Sequence, residues 1–154
     1  MFRYLPAAVA LLSIPALADD FRAGNLLVTY PYSLETPSSA PTAAGYFSVT
    51  NEGQQPDHLD AVLHANGNAQ LFHATHFRGQ TIWEPIDRVE IAPGETVKFN
   101  PKEYQVVFSG LAGITWAAGD SAPAVLVFEK AGKVPVTFQI ETLREEDGGG
   151  HTAH

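Results

Sequence analysis

Beyond residue 18, no stretch of this sequence long enough for a helix carries an apolar stripe at helical spacing. What recurs instead is the short alternating run. Ala44–Thr50 (AGYFSVT) alternates and then meets the turn-forming Asn51-Glu52-Gly53. Asn25–Tyr30, Leu59–Ala65, Gln70–Phe77, the short Thr81–Trp83, Val89–Ile91, Glu95–Phe99, Tyr104–Ser109, Ala124–Glu129 and Val134–Thr142 are short runs rich in Val, Phe, Tyr or Thr, and Gly, Pro or Asn separates them. Such residues fit a pleated, half-buried surface, and the separators supply the turns. The pattern predicts an all-β fold of eight or nine strands, either a two-sheet sandwich or a Greek-key barrel. Pro135, inside the last run, lacks the N–H a central strand needs and places that part of the strand at an edge.

The N-terminus reads differently. Met1-Phe2-Arg3-Tyr4 carries one positive charge, an apolar stretch runs from Leu5 to Leu17, and Ala16-Leu17-Ala18 offers small residues at the cleavage positions. This is the pattern of a secretory signal peptide cleaved after Ala18. The apolar run, interrupted by Pro6 and Pro15, is too short to span about 30 Å of hydrocarbon. The expected organisation is a signal peptide at 1–18, one domain at 19–143 and an acidic, Gly-rich, His-bearing tail at 144–154, exported to the periplasm with no membrane insertion.

Loss of residues 1–18 removes Arg3 and leaves 8 basic against 17 acidic residues, a formal −9. An acidic surface does not recruit nucleic acid, whose phosphates need cations. The sequence has no cysteine, and its one methionine is Met1. The exported domain therefore carries no sulfur, and chemistry that needs a thiolate or thioether is closed to it. Catalytic signatures are missing as well: there is no Gly-x-Ser-x-Gly elbow, phosphate-cradling loop or His-Glu-x-x-His. The expectation is a protein that is not an enzyme.

Four segments carry a resemblance in their order and spacing: Thr42–Asn51 (TAAGYFSVTN), Ile91–Phe99 running on to Tyr104–Leu111, Gly119–Gly132 (GDSAPAVLVFEKAG), and the histidine that ends Ala69–His73 (AQLFH). Together they resemble the periplasmic copper chaperone family PCu(A)C over roughly residues 26–142. The resemblance implies a cupredoxin-like β-sandwich that holds Cu(I) and helps deliver it to the Cu(A) centre of cytochrome oxidase. It also implies a metal site made of a His, a Met about ten residues on, and a His-x-Met pair about twenty residues later. On this sequence His73 matches the first position. The Met position falls on Trp83, or on Glu84 with a one-residue shift, and the His-x-Met pair falls on Gln105 and Val107. Cu(I) favours thioether sulfur beside imidazole, and neither sulfur position is filled.

Other imidazoles are candidates for a metal that accepts nitrogen and oxygen. His73 and His76 are an odd number of residues apart, so a regular strand sends them to opposite faces. His151 and His154, with Glu145-Glu146-Asp147 nearby, form a thin second candidate in the tail. His58 and His64 flank a strand and read as surface residues. The functional expectation is a copper-chaperone-like protein that binds Cu(II) in preference to Cu(I), with cytochrome oxidase assembly proteins or another copper chaperone as partners. The alternative is a metal-independent protein-binding module on the same fold.

Overall fold

The computed structural model describes residues 20–65 and 67–143. The expected signal peptide at 1–18 and the tail histidines His151 and His154 lie outside the described residues. Among the described residues there are eleven strands: β1 (Phe21–Ala23), β2 (Leu26–Leu34), β3 (Ala43–Asn51), β4 (Asp57–His64), β5 (Gly67–Phe77), β6 (Gln80–Ile86), β7 (Val89–Ile91), β8 (Thr96–Phe99), β9 (Tyr104–Phe108), β10 (Ser121–Phe128) and β11 (Gly132–Glu141). The all-β expectation holds, with more strands than the eight or nine expected. The excess includes β1, a three-residue strand too short to show any alternation.

The hydrogen-bonded order is β6-β5-β9-β8-β3-β2-β11-β10-β4-β7, and a further pairing of β4 with β5 closes the path on itself. The result is a barrel-like sandwich with one interior. Alternation explains which side each strand buries. In β11, Val134, Val136, Phe138 and Ile140 are buried while Lys133, Pro135 and Gln139 face water. Phe47, Phe108, Phe128 and Phe138 are the largest buried rings and fill the centre. Gly45 sits among them because a Cβ there would come within 2.6 Å of the Phe108 ring and 3.0 Å of the Phe138 ring. Pro135 pairs with Val125 of β10, whereas β2 joins β11 only from Gln139 onward, so the proline occupies an edge portion of its strand, as its chemistry requires.

Two polar devices pin the ends of the barrel. The buried Asp57 carboxylate accepts the backbone N–H groups of His58 (2.8 Å), Lys130 (2.8 Å) and Ala131 (3.0 Å), tying the start of β4 to the β10–β11 turn. The buried Asn51 amide donates to the carbonyls of Gln55 and Ile91.

β2 carries a bulge. Its register with β3 shifts between Thr29 and Tyr32, and Tyr30 adopts φ +51°, a left-handed conformation uncommon outside glycine. Before the bulge the even residues Leu26 and Val28 are buried; after it the odd residues Pro31 and Ser33 are. Tyr32 is thereby turned outward, opposite Tyr46.

Candidate functional site

β5 lies between β6 and β9, and these three strands carry every sequence-predicted ligand position among the described residues. The β5–β6 hairpin turns at Arg78-Gly79, whose φ values of +50° and +76° fit a type I′ turn, the form whose twist matches paired strands. That turn sets the register: Phe72 opposes Pro85, His73 opposes Glu84, Ala74 opposes Trp83 and His76 opposes Thr81. On the other side of β5, Gln70 opposes Val107, Leu71 opposes Val106, Phe72 opposes Gln105 and His73 opposes Tyr104.

Directly opposed residues in an antiparallel pair point to the same face, so these registers sort the site into two groups. Leu71 and Val106 are buried, which marks the inner face. His73 continues that face. Its ring stacks on Tyr104 with centroids 4.7 Å apart and 29° between planes; Tyr104 in turn meets Phe99 at 5.4 Å, and Phe99 stacks on Phe47 at 4.3 Å. His73 thus caps a file of rings that leads into the core. Burial, and secondarily the carboxylates of Glu95 and Glu103, push the Tyr104 phenol above its usual value.

Phe72, Trp83, Gln105 and Val107 occupy the opposite, outer face. Phe72 stands directly across from Gln105, with Val107 and Trp83 at the diagonal positions on either side. This corrects the placement of the first ligand position. His73 does not share a surface with Trp83, Gln105 and Val107; Phe72, one residue earlier, does. The spacing in the sequence carried the signal, since ten residues separate Phe72 from Trp83. Glu84, the alternative for the Met position, opposes His73 and lies on the inner-face side.

The remaining histidines do not converge. His76 is exposed, and its Nδ1 lies 3.3 Å from the Thr81 hydroxyl, on the face away from His73, as the odd spacing implies. His58 does have a partner, contrary to the reading of a bare surface residue: its Nδ1 is 2.8 Å from Glu129, in a group that includes Arg88 and Asp60. His64 packs edge-on against Phe108 at 5.0 Å. Among the described residues, no three of His, Asp and Glu are grouped so as to hold a metal ion.

The sequence matches the model of the LpqE-like lipoprotein family over residues 26–140. The chain belongs to the LpqE-like family. Its fold is also that of solved PCuAC domains. The copper-bound PCuAC domain from PmoF2 superposes with a TM-score of 0.67 at 23% identity, covering 80% of this chain and 98% of that one. The apo PCuAC domain from PmoF1 gives 0.68 at 24%, covering 80% and 99%. Apo-DR1885 from Deinococcus radiodurans gives 0.54 at 18%, covering 92% and 97%. Among curated proteins, none matches this sequence. The LpqE-like family and the PCuAC fold meet the resemblance carried by the four sequence segments.

As a metal cradle, the four expected positions on the outer face of this LpqE-like chain offer a phenyl ring, an indole, one carboxamide and one isopropyl group, while His76, nearer the hairpin turn on the same face, lies beside Thr81. Those four groups do not fit Cu(I), which needs thioether or imidazole donors. The inner face presents one imidazole, at His73, with the Glu84 carboxylate directly across the strand pair.

Proposed function

We propose that this protein is an exported, periplasmic copper-chaperone-like protein without catalytic activity, whose Cu(I) site has been dismantled. Its part in metal handling is to bind Cu(II) weakly through nitrogen and oxygen, at His73 with Glu84, or to support a chaperone that does carry Cu(I), for instance in cytochrome oxidase assembly. The observation that carries the reading is the sharing of one outer face by Phe72, Trp83, Gln105 and Val107, with no sulfur or imidazole among them. The LpqE-like family match and the PCuAC fold support the copper context.

A pair of titrations on residues 19–154 tests it: Cu(I) under anaerobic conditions against a competing chelator, and Cu(II) separately. The expected result is no competitive Cu(I) binding, and weak Cu(II) binding that falls with His73→Ala. Stoichiometric Cu(I) binding would overturn the dismantled-site reading.

The second reading, a metal-independent protein-binding module, is favoured by the stacking of His73 on Tyr104, which gives the imidazole a packing role of its own. Failure of either copper ion to bind would select it.

A further inference from the structure

A cavity lies away from the β5–β6 hairpin. It occupies about 900 Å³ between β2, β3, the Asn100–Glu103 loop and the end of β11, a size suited to a small ligand or a short peptide. Tyr46 forms its floor, pointing outward from β3 yet only 7% exposed. Tyr32 lies against Tyr46 with ring centroids 5.3 Å apart at 41°, and Tyr30 lies against Tyr32 at 5.2 Å and 47°. The β2 bulge builds this arrangement. Were the same residues to run as a regular strand, alternation from Val28 would point Tyr32 into the core, and the three rings would not line up.

Two further features give the cleft a chemistry. The Tyr30 hydroxyl donates to the Glu141 carboxylate, holding a residue in the left-handed region at the rim. Backbone strain of this kind persists where the surroundings impose it, and it clusters at binding sites. Two carboxylates, Glu103 and Glu141, line the cleft against one ammonium, Lys102, in a chain that is acidic overall. Tilted aromatic faces beside carboxylates attract a weakly hydrated organic cation: the ring quadrupoles and the negative charges act in the same sense. An inorganic cation would keep its water and gain little from the rings.

We propose that the Tyr30–Tyr32–Tyr46 cleft is a binding site for an organic cation of the quaternary ammonium class. The site shares none of its lining residues with the positions considered for copper on β5, β6 and β9.

Choline is the probe, and 3,3-dimethyl-1-butanol, its uncharged carbon analogue, is the control. Calorimetric or NMR titration of residues 19–154 should show choline binding about tenfold more tightly than the alcohol, the size a desolvated cation–π contact gives. Tyr32→Phe keeps the ring face and should retain binding, whereas Tyr32→Leu keeps only bulk and should lose about tenfold. Glu141→Gln should weaken choline and leave the alcohol unchanged. Equal affinity for the two probes, no choline binding at millimolar concentration, or equal behaviour of the Phe and Leu variants would each overturn the proposal. The Phe variant guards against misfolding as the cause of a loss, and the copper titrations read a separate surface.

Discussion

His73 stacks on Tyr104 on one side of β5 while Phe72, its immediate neighbour, stands across from Gln105 on the other. A one-residue difference in position therefore separates an imidazole that caps the core from the surface on which the other three expected ligand positions lie. The distinction can be tested by rebuilding the site.

We expect the variant Trp83→Met/Gln105→His/Val107→Met to bind Cu(I) poorly although His73 is present. Adding Phe72→His should give stoichiometric Cu(I) binding, because soft sulfur and two imidazoles then share one face. Anaerobic competition with a Cu(I) chelator reads the difference. Equal affinity of the two variants would show that His73, or His76 from the hairpin end of the outer face, already supplies the second imidazole.

Asp57 should be a stability hub. Asp57→Ala leaves three backbone N–H groups without their carboxylate at a buried junction, at a cost of about 3 kcal/mol or more. Urea unfolding measures it, and a loss below about 1 kcal/mol would mean that water takes the place of the carboxylate.

Gly45→Ala introduces a methyl 2.6 Å from an atom of the Phe108 ring. The ring is buried between β3, β9 and β11 and has little room to move, so we expect destabilisation of about 1–3 kcal/mol from overpacking. Thermal unfolding of the variant gives the value, and a neutral result would reveal slack around Phe108 and Phe138.

Alkaline pH should act through two phenols. Burial, and for Tyr46 secondarily the neighbouring Tyr32, pushes both Tyr46 and Tyr104 above the ordinary value of 10.0. In the unfolded chain they ionise earlier, so the unfolded state gains as pH climbs past about 10. The stability they contribute is complete below that pH and is lost as pH rises through the folded-state values. Tyr46→Phe/Tyr104→Phe should flatten the fall in urea midpoint above about pH 10; an unchanged slope would assign the loss to other groups.

Much of the fold was legible because strands such as β3 and β11 have one wet and one dry side, and that contrast writes itself into the sequence as alternation. β6 shows where legibility ends. Its residues are exposed or half-exposed throughout, so no buried side imposes a pattern, and the sequence revealed only Thr81–Trp83. The site divides in the same way. Parity along one strand separated His73 from His76 correctly. Parity between strands needed the register, which depends on the turn at Arg78-Gly79. A type I′ turn is recognisable when Asn or Asp precedes glycine, and the arginine conceals it.

The bulge at Tyr30 has a consequence for how this sequence can change over time. An in-frame loss of that single codon would alter composition hardly at all. It would nevertheless straighten β2 without turning it over: Pro31 would fall opposite Phe47, Tyr32 would still oppose Tyr46, and Pro31 and Ser33 would stay on the buried side. The strand thus carries one residue more than its two faces need, and that surplus residue is the one that brings the Tyr30 ring and its bond to Glu141 to the rim.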